Sequence, residues 1–553
     1  MTKKSFLFII LACILFSCKT YVNRYISNFS TTVIIPKSNK LTLDEVNVWQ
    51  HKDILEDSIP GISLDKAYRE LLTNKKGDTV IIAVIDTRLD VNHEEIRDYI
   101  WTNEDEIPEN GIDDDANGYI DDINGWNFLA DRNGKNLYGL NYSYVRFYRA
   151  FKEKFEGKQL NEISKQELNN YNLFLRAKNK LQAQLNLRKS NISYLDSLRN
   201  DGILAFNKLK EVFPDKILEY SFIDSLKSGS TVINKYIKRY KYYLNIKEAL
   251  EKRIVSENKY LNIYLNEDYD DVKSFKDDFD NIKDINYGNN KVSSDIDIFH
   301  HSTQVTGIII ADRNNSKGIK GIINNAKIIP VCISPSGDER DKDIALGIRY
   351  AVDNGASIIN ITFTKEYPFH NNWVISAIKY AAKNDVLIVS SSGNDYTDLD
   401  NEDSYPNDTY NDHTEYVDNF IKVGASWFKL NERMIPSFSN YGKREVDIFA
   451  PGKNIYTTIP NNKYKHTDGT SLSSPMVSGI AALIRSYYPD LTAPEIKQII
   501  LESGVSYNIM VNKPSKIEEK ELIPFSSLSK SGKIVNAYNA LLMAEEVSKK
   551  KKK

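Results

Sequence analysis

The chain is poor in cysteine, in long apolar runs and in net charge. Its 553 residues contain three cysteines, Cys13, Cys18 and Cys332, which excludes a disulfide framework and a zinc site built on paired cysteines. The mostly apolar run at residues 5–16 is too short for a comfortable membrane span. A formal net charge of −2 argues against a general nucleic-acid binder.

The N-terminus has the pattern of an export signal. Two lysines precede the apolar run, which ends at Leu15-Phe16-Ser17-Cys18. This ending resembles a bacterial lipoprotein signal, and it predicts a signal peptide over 1–17, lipidation of Cys18, a lipid anchor in a membrane and a place in the cell envelope, facing the periplasm or the surface. An ordinary signal peptide with incidental cysteines is the alternative. Residues 18–60 are polar and irregular, which predicts a tether.

Two apolar runs end in polar side chains. The run 80–85 ends at Asp86, and the run 386–389 leads into Ser390-Ser391-Ser392-Gly393-Asn394. Both are typical of buried parallel strands that carry site residues at their C-terminal ends. The Asn394 amide can donate a hydrogen bond to an oxyanion. Residues 357–363 predict another strand, and Cys332 falls in a further strand-like run, which predicts a buried small hydrophobe.

A histidine and a serine stand at two predicted helix starts. His301 opens a helix with a small-residue face, and Ser471 lies in a stretch of small residues just before the apolar segment 476–484. Backbone N–H groups and the helix dipole favour negative charge beside such a serine. The chain order Asp86, His301, Ser471 is the order of the catalytic groups in subtilisin.

These four motifs resemble the subtilisin-like serine proteases, the subtilases. The resemblance covers about residues 60–140 and 285–545 and includes three shorter stretches, 437–442, 449–452 and 534–540. It implies a doubly wound, mostly parallel α/β sandwich of three layers. It also implies a serine endopeptidase that hydrolyses peptide bonds of a polypeptide substrate and needs no cofactor for catalysis.

The resemblance assigns a role to each motif. Ser471 matches the nucleophile, His301 the general base, and Asp86 the group that orients the imidazole. Asn394 matches the oxyanion-hole amide, together with the backbone N–H of Ser471. The segments that would pair with an extended substrate are Ile361, Thr362, Phe363, Thr364, Ser391, Ser392 and Gly393.

Some positions depart from the family pattern. Arg88, Ser302 and Gln304 replace a glycine, a glycine and a histidine, and the segment 362–364 lacks the usual glycine. Larger residues there would strain the site or narrow the cleft. The alternative function is therefore a catalytically silent subtilase fold that binds or scaffolds through its insertion. An alignment that makes His300 the base is the alternative, but it leaves Thr303 out of frame with the family pattern.

An acidic loop predicts a structural calcium ion. Oxygen donors recur at alternate positions with a glycine at position six, as in the first part of an EF-hand loop. The final glutamate is missing, because Asn124 stands at position twelve. A solvated acidic turn is the alternative. The expected ligands are Asp113, Asp115, Asn117, Tyr119, Asp121 and Asp122.

A long insertion separates Asp86 from His301. Residues 141–284 contain one proline and few glycines, and the spacing of apolar side chains predicts helices. We expect an all-helical subdomain between protease segments 61–140 and 285–545, with a possible protein partner and no nucleic acid. Residues 546–553 are expected to be a disordered lysine-rich tail. The two predicted helical faces contain Leu168, Tyr171, Phe174, Leu181 and Leu185, and then Tyr236, Tyr240, Tyr243 and Leu244.

Overall fold

The computed structural model of the chain describes residues 41–269, 277–293, 301–410, 412–516 and 521–553. The expected signal peptide, Cys18 and His300 lie outside the described residues. Within the described ranges, no helix is both long and apolar enough to cross a membrane. The chain divides into two compact units, one formed by Tyr138–Ser274 with Ser336–Asp338 and the other by the remaining sequence.

The larger unit is built on a nine-stranded sheet in the order β10-β13-β7-β6-β5-β4-β1-β3-β2. All neighbours pair in parallel except β10 and β13. Two antiparallel hairpins, β8–β9 and β11–β12, lie outside this sheet. The strands are β1 Val80–Asp86, β2 Trp126–Asn127, β3 Ala326–Cys332, β4 Ile358–Ile361, β5 Leu387–Ser391, β6 Phe420–Ser426, β7 Ile448–Pro451, β8 Ile455–Ile459, β9 Lys463–Thr467, β10 Val505–Ser506, β11 Met510–Asn512, β12 Leu522–Pro524 and β13 Lys533–Ile534.

Helices cover both faces of the sheet, which explains why its central strands are apolar on both sides. Along β1, Ile82 and Val84 pack into one cluster, whereas Ala83 and Ile85 pack into the other. The predicted three-layer α/β fold is confirmed. The helices of this unit are α1 Leu43–Val48, α2 Leu64–Ala67, α7 His301–Ile310, α8 Asp341–Asp353, α9 Asn371–Lys383, α10 Ser473–Tyr487, α11 Ala493–Ser503 and α12 Ala537–Lys551.

The smaller unit is helical, and its bounds differ from the expected 141–284. Its helices are α3 Ser143–Phe155, α4 Leu168–Val212, α5 Tyr220–Ser225 and α6 Thr231–Lys259. Residues of both predicted faces are buried, among them Phe174 on α4 and Tyr243 on α6. The two helices approach closely, since a side-chain carbon placed on Gly202 would lie 2.2 Å from the Tyr243 ring.

The second half of the expected tether is folded. Residues 41–60 contain α1 and a short 3-10 turn, Trp49–His51. Trp49 is fully buried in the same cluster as Ile82, and its indole N–H donates to the carbonyl of Asn454. Buried apolar side chains hold this otherwise polar stretch against the core. The described part of the expected tether therefore belongs to the folded unit.

The lysine-rich C-terminus also differs from the expected disordered tail. α12 continues to Lys551. The ammonium of Lys551 donates to the carbonyl of Asp490 and pairs with Glu495 at 2.8 Å. Cations at a helix C-terminus interact favourably with its partial negative charge, which explains why these lysines extend the helix.

We predict that Trp49→Ala lowers the free energy of unfolding by about 3–5 kcal/mol, because it empties a fully buried aromatic site. Chemical denaturation measures this loss. Leu43→Ala is the matched control, since Leu43 is 70% exposed in the same segment. Equal midpoints for both variants and the wild type would mean that the segment is a tether after all.

Candidate active site

Asp86 and His301 form a direct ion pair at the C-terminal edge of the sheet. Asp86 is the last residue of β1 and is 1% exposed, and His301 is the first residue of α7. His301 Nδ1 lies 2.8 Å from Asp86 Oδ2 and 2.9 Å from Oδ1. An ionised carboxylate only accepts hydrogen bonds, so Nδ1 carries the proton and Nε2 is left with a lone pair in the neutral ring.

The contact shifts the pKa values of both side chains away from their ordinary values. Burial acts to lower the pKa of His301, but attraction to the Asp86 carboxylate outweighs it and the pKa is raised. For Asp86, burial acts to raise the pKa, but the charge and hydrogen bond of His301 outweigh it and the pKa is lowered. Asp86 therefore stays ionised while His301 titrates.

Two threonines hold the Asp86 carboxylate and the start of α7. The hydroxyl of Thr362 donates to Asp86 Oδ2, and the backbone N–H of Thr87 donates to Oδ1 at 2.5 Å. The Thr87 hydroxyl accepts from the backbone N–H of Ser302 at 3.0 Å. Thr362 was expected to pair with substrate through its backbone, which stays a prediction, and its side chain contacts Asp86.

Ser471 and Asn394 face one small space beside Gly469. A side-chain carbon placed on Gly469 would lie 3.0 Å from Ser471 Oγ and 3.7 Å from Asn394 Nδ2. Asn394 Oδ1 accepts from the backbone N–H and the hydroxyl of Thr470, at 2.8 and 3.1 Å. These two donors fix the amide orientation, so the NH₂ group is the end that faces this space.

Ser471 stands at the start of a helical segment that contacts α7. The 3-10 turn Thr470–Leu472 runs directly into α10, and α7 packs against this turn. Among the described residues, no hydrogen bond joins His301 Nε2 to Ser471 Oγ. Such bonds are often long before substrate binds. The start of this helical segment carries a partial positive charge beside Ser471.

The expected substrate segments lie beside the site, but part of them is inside the sheet. Ile361 is paired with Ile85 on one side and Ser390 on the other. Ser391 and Ser392 are buried as well, whereas Phe363 and Thr364 are half-buried. Gly393 has a φ of +103°, and a side-chain carbon there would lie 3.0 Å from the Thr364 hydroxyl.

The departures from the family pattern do not strain the backbone. Arg88, Ser302 and Gln304 are all buried, and none has a positive φ. Thr362, Phe363 and Thr364 also have no positive φ. These side chains are therefore accommodated without the conformation that would require glycine.

The acidic loop brings together only part of the expected ligand set. Carboxylate oxygens of Asp113 and Asp115 lie within 4.8 Å of each other and of Glu106, a residue outside the EF-hand-like pattern. Asp121 instead accepts from the backbone N–H groups of Asn110 and Gly111. The donor set is chemically suited to calcium, which prefers carboxylate oxygen.

The remaining expected ligands have internal partners. Asp122 is fully buried and accepts from Asn103, Asn117 and the Tyr350 hydroxyl. The backbone N–H of Tyr119 donates to Asn117 Oδ1, and the Tyr119 ring packs in the core. The backbone N–H of Asn117 donates to Asp113 and Asp115.

Comparison with known proteins adds a family match. The model of the subtilase family matches residues 77–521. A thermophilic serine proteinase of Bacillus sp. (strain AK1) is 36% identical over 34% of this chain and 44% of its own length. The cell wall-associated protease of Bacillus subtilis (strain 168) is 34% identical over 37% of this chain and 21% of its own.

A third relative matches this chain over a larger share of its own length. Subtilisin DY of Bacillus licheniformis is 32% identical over 36% of this chain and 67% of its own length. The chain thus spans less than half the length of the first two relatives.

The raised pKa of His301 predicts a pH effect. We expect the His301 ring to titrate above the ordinary histidine pKa of 6.5, because the Asp86 carboxylate favours its protonated form. Asp86→Asn removes the attraction but keeps the burial, so the His301 pKa should fall. NMR titration of the His301 ring in Ser471→Ala protein, with and without Asp86→Asn, measures this fall. An unchanged His301 titration would contradict the ion pair.

Proposed function

The chain belongs to the subtilase family, and from this premise we propose that it is a serine endopeptidase that cleaves polypeptides. The observation that carries the proposal is the convergence of four groups at one sheet edge. Asp86 bonds to His301, while Ser471 and Asn394 face the same space beside Gly469. The named relatives are themselves proteases.

The geometry supports a proton transfer through His301. Its Nδ1–H is held by Asp86, so Nε2 accepts the proton of Ser471 Oγ as this oxygen attacks the substrate carbonyl carbon. Asp86 stabilises the resulting imidazolium. His301 then protonates the leaving amine, and a water molecule repeats the cycle on the acyl-enzyme to release the second product and restore Ser471.

Two donors would stabilise the tetrahedral intermediate. The Asn394 NH₂ group and the Ser471 backbone N–H would bond to the carbonyl oxygen as it becomes negative. Thr470 holds Asn394 on the side away from this oxygen. Removing one such donor typically costs about 100- to 1000-fold in kcat. The oriented amide is therefore a second group, besides the Asp86–His301 pair, that supports turnover.

We further propose that the protein is a lipoprotein of the bacterial cell envelope, anchored through Cys18. The proposal is supported by the two lysines, the short apolar run and the residues preceding Cys18. Several acyl chains hold a protein to a membrane far more firmly than one.

We also propose a calcium ion at the acidic loop, held by Glu106, Asp113 and Asp115. These three carboxylates carry like charges within 4.8 Å of one another, and a bound cation would relieve their repulsion. The ion would stabilise the loop that connects β1 to β2 and would take no part in the proton transfers.

A protein partner for the helical unit remains a prediction. Large apolar side chains are exposed around the turn between α4 and α6, including Ile217 at 76% and Val232 at 63%. A catalytically silent scaffold would act through this unit. The labelling experiment below distinguishes the scaffold hypothesis from the enzyme hypothesis.

We predict that a serine-directed fluorophosphonate labels the wild-type protein on Ser471. Ser471→Ala should abolish the label, and His301→Ala should reduce it by several orders of magnitude because the triad acts as a unit. Ser473→Ala is the matched control, since its buried hydroxyl only donates to the carbonyl of Ala450. Absence of labelling in folded wild type would support the scaffold instead.

We predict that calcium raises Tm and that Glu106→Gln with Asp115→Asn removes this gain. An ion that binds only the folded state stabilises it, by about 2.7 kcal/mol at 100 times its Kd. Asp121→Asn should keep the calcium response, because the Asp121 side chain bonds to the loop backbone and its bond to Glu106 is made by the backbone N–H, which the substitution keeps. Equal Tm values in calcium and in chelator would identify the loop as a solvated turn.

We predict that Cys18→Ser releases the protein from membranes or leaves its signal uncleaved, because lipidation requires the thiol. Cys13→Ser should keep the protein in the membrane fraction, since Cys13 lies within the apolar run. Fractionation without detergent followed by immunoblotting measures both. Recovery of the wild type in the soluble fraction would rule out the anchor.

A further inference from the structure

The β8–β9 hairpin connects the segments that carry the three triad residues. β8 and β9 pair in antiparallel register from Ile455 opposite Thr467 to Ile459 opposite Lys463. Gly469 and Ser471 follow β9 almost at once. The hairpin lies outside the nine-stranded sheet, so its role is not to complete that sheet.

Two threonines of β8 bind the first turn of the His301 helix. The hydroxyl of Thr458 donates to the carbonyl of Thr303 at 2.6 Å, and that of Thr457 donates to the carbonyl of Gln304 at 2.7 Å. Both β8 threonines are fully buried. The contact is close, because a side-chain carbon on Gly307 would lie 2.0 Å from the Thr458 hydroxyl oxygen.

The same hairpin binds the segment that follows Asp86. The backbone N–H of Asn461, at the hairpin turn, donates to the Asp90 carboxylate at 2.9 Å. The backbone N–H of Glu94 donates to the side chain of Asn462 at 2.8 Å. The Tyr464 hydroxyl donates to Glu95 at 2.9 Å.

Thr303 joins the three segments. Its hydroxyl accepts from the backbone N–H of Asp90 at 3.0 Å, while its carbonyl accepts from Thr458. Thr303 is fully buried and stands two residues after His301. A hydrogen-bonded path therefore runs from the Asp86 segment through the His301 helix to the hairpin that leads into Ser471.

We propose that Thr303 and Thr458 are positioning residues, which hold His301 in register with Ser471 and Asp86 through this hairpin. The inference rests on the proposed protease function. A displacement of about 1 Å can cost as much as about 100-fold in rate, and the absence of a His301–Ser471 bond among the described residues leaves their alignment to the surrounding segments. Neither threonine touches the reacting atoms in this account.

The test compares Thr458→Val with Thr458→Ser and Ser486→Ala. Valine keeps the size of threonine but removes the donor, whereas serine keeps the donor. Ser486 is a matched control, because its buried hydroxyl also donates to a backbone carbonyl, that of Asp78 at 2.7 Å, at the far end of α10. Three measurements are made on each folded protein: Tm, the rate of fluorophosphonate labelling, and kcat and KM for a short peptide.

Thr458→Val should lower the labelling rate and kcat by about 10-fold with little change in KM. Thr458→Ser should restore most of both rates. Ser486→Ala should lower Tm but label at the wild-type rate. A Thr458→Val protein that labels as fast as the wild type would overturn the inference, and so would a Ser486→Ala protein that slows equally. Failure of the wild type to label would instead defeat the proposed function.

Asp90→Ala keeps the inference testable if Thr458→Val does not fold. The Asp90 bond to Asn461 is exposed, so its removal should leave the core intact. This variant should label several-fold more slowly than the wild type at nearly unchanged Tm. Labelling at the wild-type rate would mean that the hairpin does not position the triad.

Discussion

The buried charge of Asp86 is the interaction on which the rest of the site depends. An ionised carboxylate removed from water costs several kcal/mol unless donors replace the lost hydration. Three donors reach it from three segments: the N–H of Thr87, the hydroxyl of Thr362 at the end of β4, and the ring of His301 on α7. Compensation of this charge therefore requires the central strands and the His301 helix to be assembled in register.

The central sheet and the position of the site could be predicted from the sequence, because strands covered on both faces are continuous apolar runs. Asp86 was identifiable as the polar residue directly after one such run, and Asn394 as the amide shortly after another. The contact of Thr362 with Asp86 was not predictable, since a hydroxyl at a strand end is compatible equally with a substrate contact. The approach of Glu106 to Asp113 and Asp115 was also missed, because Glu106 precedes the EF-hand-like motif and lies outside its spacing.

The two ends of the chain show how local composition can mislead. Residues 41–60 are polar overall, yet Trp49, Ile54 and Ile59 are buried and attach the segment to the core. The lysines after residue 546 are typical of a solvated tail, yet Lys551 meets Glu495 and a helix end. In both places tertiary contacts hold the segment in the fold, and sequence pattern alone does not contain those contacts.

The central claim is that Asp86, His301, Ser471 and Asn394 act on one substrate carbonyl. A crystal structure of the protein after reaction with a fluorophosphonate tests it most directly. We predict phosphorus bonded to Ser471 Oγ, a phosphoryl oxygen about 2.7–3.1 Å from Asn394 Nδ2 and from the Ser471 backbone nitrogen, and His301 still bonded to Asp86. Phosphorus on another residue, or a phosphoryl oxygen turned away from Asn394, would contradict the account.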